Sequence, residues 1–377
     1  MQQPKMKKIL LLLLIIIVAF VIAVRIRYGG GDAYPDLSST PMLSDDALEE
    51  VLLYPEPIGN VAVNATGRVF FTVHPESRPQ GNKVLEIIDG AAEPYPDGAS
   101  QNSFYDTVLG VAVDQQNRLW TIDHGNHGTR TARLLAFDLE TGDLIHDQSF
   151  DRQIAPVGSF LQDLQVSADG QTVVIADASF WRKRPAIIVY DIGTASARRV
   201  LESHESVSAE KFLIHNHGTA MSFAGGIVTL RGGVDGIALG PEWLYFGAIS
   251  GSGLYRIPLD VLTNGALSDS ELAARVDRVA TKPLSDGMSI DVNGNIFGTD
   301  IEHGSIFLVN ADRELHTLLR TRKIRWPDAL SFGPDGWLYI ADSALSDVVL
   351  KPRDHIKTHG PYKIYRFQPG TEGTPGQ

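Results

Sequence analysis

Four carboxylates and one amide recur at a single register of a repeated pattern in this 377-residue chain. The positions are Asn60, Gly110, Asp163, Asp235, Asp286 and Asp328, each at the start of an alternating apolar stretch. Gathered into one ring, such carboxylates either raise one another's pKa values or demand a cation. A hard ion such as Ca²⁺ takes Asp and Asn oxygens, and a protonated amine supplies the same charge. A local role competes with this one: Asp or Asn before Gly caps a strand by bonding to its own backbone. Asp235-Gly236 and Asp286-Gly287 suit that role. Two further residues stand beside the ring as candidates for the pocket: His124, and Trp326 just ahead of Pro327-Asp328. His303 stands in an "EHG" that matches the "DHG" of His124. His215-Asn216-His217 offers two metal ligands at i,i+2 without a third. Asp123, Asp177, Asp300 and Asp342 end second strands, where turn hydrogen bonding is the simpler reading.

The elements that carry these residues are six copies of one hairpin. Examples are LGVAVDQQNRLWTIDHG (109–125) and WPDALSFGPDGWLYIADS (326–343). In each copy, period-2 apolar alternation flanks a turn of Asn, Asp and Gly. Third strands follow at 134–138, 186–191, 253–257, 305–309 and 362–367. The period of about 53 residues fits a four-stranded blade with its loops. We therefore expect an all-β, six-bladed propeller over residues 58–370, whose first strands line a central channel. A β-sandwich would not repeat one hairpin six times. Two longer stretches, 204–230 and 259–283, break the pattern, as pocket-shaping inserts do. The second carries a capping box, Ser268 with Glu271.

Ahead of the repeats, Lys5, Lys7 and Lys8 precede an apolar run from Ile9 to Val24, with Arg25 and Arg27 after it. Residues 1–27 read as a signal or transmembrane anchor, uncleaved or cleaved, and export follows either way. Residues 28–57 are expected to be a linker, with a short helix from Asp46, and 371–377 a disordered tail. The five positive charges of 1–27 leave −17 on the remainder, against −12 for the whole chain. That balance argues against nucleic acid as a partner. With no Cys, thiol nucleophiles, disulfides and Cys-held metals are excluded. No P-loop, GxGxxG, HExxH or GxSxG motif is present. Arg182-Lys183-Arg184 reads as a solvated hairpin tip, and a monomer is expected.

The sequence resembles the yellow/major royal jelly protein family in its bacterial branch. The resemblance is carried by 109–125, GSFLQDLQVSADGQTVVIADAS (158–179), AIIVYDI (186–192), 234–258, 282–310 and 326–343, in order and spacing. It implies a six-bladed propeller, secretion, a link to dopachrome conversion as in insects, and a biogenic-amine site in the axial pocket. The chain is more distantly similar to gluconolactonase-like, calcium-dependent propellers. That similarity places a metal site on Asn60, Asp235 and Asp286. Asp286 in "SDGM" matches the Asp of their "PDGM" motif. Asn60 replaces their Glu, Asp235 an Asn, and Gly110 an Asn of some members. Two functions are thus expected in order. The first is binding of a small amine or polyhydroxyl ligand by Asn60, Asp163, Asp235, Asp286, Asp328, His124 and Trp326. The alternative is a Ca²⁺-dependent lactonase with Asp286 as ligand or general base.

Overall fold

The computed structural model describes residues 3–376. Each expected hairpin grows into a four-stranded antiparallel sheet. Blade 1 holds Ile58–Val63, Val69–Val73, Val84–Ile88 and Ala91–Pro94. Blades 2 and 3 begin with Val108–Val113 and Leu161–Val166, and blades 4 and 5 with Val234–Leu239 and Met288–Ile290. Blade 6 joins Pro327–Phe332, Leu338–Asp342 and Tyr362–Phe367 to an outer strand from far upstream, Glu49–Tyr54. The six innermost strands pack side by side into a closed ring. Closure leaves only short outer edges. Alternation fades on the inner strands, which are buried on both faces because neighbouring blades stack on them.

The innermost strands share a detail that places the chemistry. In blades 1, 4 and 6 a β-bulge takes in the rim residue, as between Val234 and Ile237 or Pro327 and Ala329, and in blades 2 and 3 it falls just before it. A bulge bends the strand and re-aims one side chain, here the rim residue. The glycines after the acids serve close approach, not a turn. A Cβ on Gly236 would stand 2.1 Å from the Asp286 carbonyl oxygen, and one on Gly287 2.6 Å from that of Asp328. Gly236→Ala is therefore expected to cost roughly 1–3 kcal/mol, read as a lower urea midpoint. An unchanged midpoint would contradict this packing.

Two segments differ from the sequence expectation. Residues 28–57 are not a free linker. They run as a strap from the 204–230 insert to the outer edges of blades 5 and 6. Asp32–Ala33 pairs with Phe212–Leu213, and Met42 and Leu43 donate to the carbonyls of Thr317 and Leu318. Glu49–Tyr54 then completes blade 6 against Tyr362–Phe367. The expected helix from Asp46 is a single 3₁₀ turn, Asp45–Ala47, that gives way to this strand. Its alternation buries Leu52 under the blade and outweighs the local helix signal. The 371–376 segment is likewise ordered. Gly373 bridges Asp291, Val292 N–H donates to Glu372 O, and Gly376 links Phe332 O to Val113 N–H. It crosses one end of the axial channel. Gln377 lies outside the described residues.

The apolar run extends into a helix, Gln3–Tyr28. Met6–Tyr28 is, among the described residues, the one helix long and apolar enough to cross a membrane, and its most apolar window is unburied. The capping box Ser268–Glu271 is present as expected.

Candidate functional site: an acidic ring below an apolar funnel

Antiparallel pairing puts the ends of the second strands at the same face as the starts of the first, as Val108 opposite Asp123 shows. Loops on that face wall a funnel whose cavity holds ≈ 100 Å³. The 204–230 insert contributes Phe223, Val228 and Leu230. The 259–276 insert connects third to fourth strand and so lies on the opposite face, away from the pocket. Asp235, Asp286 and Asp328 form the funnel's floor. Beneath them, Asn60, Asp163 and Gln165 line a narrower channel, at whose far end stands Gly376.

The ring acids are buried and unequal. Burial pushes Asp286 up to about 6 and Asp163 up to about 7. Burial and the Asp286 charge hold Asp235 and Asp328 well above the usual carboxylate range. Asp235 donates a hydrogen bond to Asp286. Trp326, fully buried, donates its indole N–H to Asp286 Oδ2 at 2.7 Å. It does not wall the pocket, as expected from sequence, but fixes the acid from behind. The backbone-capping role falls on other members of the ring than those whose sequence suited it. Asp163 Oδ1 accepts from Leu164 N–H at 2.9 Å, and Asn60 Oδ1 from Val61 N–H at 2.8 Å. Asp163 also reaches across to Ile237 N–H of blade 4, and the Asn60 amide donates to Asp163. These two are partly spent on the scaffold. Asp235 Oδ2 and Asp328 Oδ2, by contrast, are buried without a hydrogen-bond partner.

The histidines sort differently from the sequence expectation. His124 is buried beside Phe160 and caps a turn by accepting from His127 N–H. It stands behind the wall that His127 forms. His303 pairs with Asp300 and Asp36, away from the funnel. His217 meets the Ile324 carbonyl and Asn216 ties down Ile301 and Arg325, so that motif is a clamp for the insert. The four strand-ending Asp residues accept turn N–H groups, as the residues suggested.

Sequence reasoning missed His74, Glu76 and His127. His74 Nδ1 accepts from Glu76 N–H, which leaves its proton on Nε2, 3.7 Å from Asp328 Oδ2. Burial lowers its pKa to about 4, so it is neutral at pH 7. Glu76 Oε1 meets His127 Nε2 at 2.8 Å, and the His127 ring stacks on Phe160. His74 follows its second strand where His124 follows the next one, so aligning that position across the repeats would have found it.

A closed six-bladed propeller whose axis carries an acidic ring under an apolar funnel is thus the class of protein the fold defines. The chain belongs to the major royal jelly protein family, whose family model matches residues 106–329. No curated protein matches it. Solved structures share the fold at low identity. A gluconolactonase from Xanthomonas campestris is 16% identical with a TM-score of 0.54, covering 85% of this chain and 88% of that one. The calcium-binding regucalcin from Agrobacterium tumefaciens is 14% identical with a TM-score of 0.54, over 86% and 93%. A luciferin-regenerating enzyme is 10% identical with a TM-score of 0.58, over 87% and 97%.

Proposed function

We propose that this propeller is an exported, monomeric binding protein, anchored by its N-terminal helix, that holds a small amine or polyhydroxyl ligand at the axial acids. The observation that carries the reading is the pair of partnerless buried oxygens, Asp235 Oδ2 and Asp328 Oδ2, on the floor of a mostly apolar funnel. Buried acceptors without donors are costly, and a ligand ammonium or hydroxyl would relieve both. Asp286, ionised at neutral pH and braced by Trp326, supplies the counter-charge. His74 offers a neutral N–H beside Asp328.

A second reading is favoured by the same donor set. Asp235, Asp286 and Asp328 carry the charge a hard cation takes, and Asp235 and Asp328 each keep a free oxygen. Asn60, the third expected ligand, has its oxygen committed to Val61. Calcium held there would polarise a lactone carbonyl, with Asp286 as ligand or base.

Calorimetric titration of tyramine and of gluconolactone, with and without calcium, separates the two. Binding of tyramine that weakens roughly 10–100-fold in Asp286→Asn supports the first reading. EDTA-sensitive lactone hydrolysis, lost in the same variant, supports the second. No tyramine binding by the wild type would overturn the amine reading.

A further inference from the structure

The membrane helix ends on the wall of the pocket. Tyr28, its last residue, donates its hydroxyl to the Trp181 carbonyl at 2.8 Å and packs edge-on against that ring. Arg27 donates to Arg182 O, and Arg25 to Gly226 O. Thr229 binds the carbonyls of both Tyr28 and Gly30, so no slack remains between helix and propeller. Trp181 and Val228 are funnel-lining residues. The mouth therefore sits within a residue or two of the point where the helix leaves the domain.

Two further features mark this side. The domain is acidic overall, yet Arg25, Arg27, Arg182, Lys183, Arg184 and Arg231 gather here, with Glu202 as the acid that Arg182 and Arg184 share. Juxtamembrane Lys and Arg are drawn to anionic lipid surfaces, and Tyr and Trp settle at the headgroup level. The lip itself is apolar and open: Trp181 is 40% exposed and Leu350 63%. Helix Met6–Tyr28 spans about 35 Å at 1.5 Å per residue, enough for the ~30 Å hydrocarbon core. Tyr28 then lies at the interface, and Trp181 lies beside it.

We propose that the mouth of the funnel rests on the bilayer surface and that the ligand is a membrane-borne amphiphile. Its alkyl or aromatic body lies along Phe160, Phe223, Val228, Leu230, Leu345 and Val349, and its polar head reaches the acidic ring. The head's contact rests on the function proposed above; the placement of the mouth does not. Such a ligand enters sideways from the lipid without crossing water, which explains an apolar entrance to an acidic floor.

Two measurements on the full chain test this. In vesicles of dibrominated phosphatidylcholine, tryptophan emission should be quenched relative to unbrominated vesicles. Trp181→Phe should remove at least half of that quenching. Trp120 and Trp326 are fully buried, and Trp243 and Trp337 lie at first-to-second-strand turns on the opposite face. Equal quenching in wild type and variant would overturn the placement. Butylamine, octylamine and dodecylamine, titrated below their micelle concentrations, should bind roughly 3–4-fold more tightly per added methylene; a flat series would overturn the amphiphile. Dodecanol separates this from the ring reading. A steep chain-length series with no preference of amine over alcohol means that the ring reading fails and this one stands. A flat series with an amine preference means the reverse.

Discussion

Asp235→Asn should make the unliganded protein more stable at pH 8 and leave it unchanged near pH 4. A buried carboxyl whose folded pKa is raised binds its proton more tightly in the folded state. Its contribution is fully present below the unfolded pKa, near 3.8, and is lost as pH rises through the folded value. Asp286 and Asp163 place that loss between about pH 4 and 7, and Asp235, held well above the usual range, extends it upward. At one pKa unit per 1.36 kcal/mol, a shift like that of Asp286 corresponds to roughly 3 kcal/mol. For a protein of this size that is a rise of about 5 °C in Tm. His74 and His124 act in the opposite sense. Their lowered pKa values stabilise the fold above the unfolded histidine value, and this is lost as pH falls through it. The difference between wild type and variant cancels those histidines, so it reports the ring alone. Thermal melts at pH 4, 6 and 8 measure it. If the variant is less stable at pH 8, the ring is not a store of unrelieved charge but is already neutralised by a bound cation. Removing that cation with EDTA would then destabilise the wild type at pH 8 and restore the stabilising effect of Asn.

The ring and the blades were legible in the sequence for one reason: both are written in local, repeated patterns. Each hairpin turn closes within a few residues, and each rim Asp keeps its place in the repeat. The bulges that aim the acids left no mark, because a bulge is one extra residue in a strand whose alternation is already blurred by two-sided burial. Glu76 and His127 come from loops with no period to read, and His74 is legible only when the residue after each second strand is aligned across the repeats. Trp326 was expected as a pocket wall, and its actual contact with Asp286 joins residues 40 apart and depends on how blades 5 and 6 stack. The 28–57 and 371–376 segments failed for a related reason. Their partners lie far along the chain, and neither carries the hairpin pattern.

The closing strand makes the second large effect. A chain beginning at residue 58, where the repeats begin, lacks Glu49–Tyr54 and should be largely insoluble; one beginning at residue 32 should fold. The strand's register against Tyr362–Phe367 runs from Glu49–Arg366 to Tyr54–Tyr362. Without it, the third strand of blade 6 becomes a long exposed edge of unpaired N–H and C=O groups, a template for aggregation. The buried Leu52 leaves a core that includes Tyr362 and Ile364, and the ion pairs of Glu49 with Arg366 and Glu50 with Lys363 are lost. The exposed ion pairs matter little. The edge and the lost apolar burial matter most, because the ring is closed only where first and last blades meet. Residues 32–48 add a second hold through Ser39–Thr317 and through Asp45 with Thr321. Soluble yield and thermal unfolding of the two chains check this. The Leu52→Asp substitution in the longer chain should lower Tm by about 5–10 °C, as burial of an unpaired charge does. A well-folded chain beginning at residue 58 would show that five complete blades and three strands suffice to close the ring.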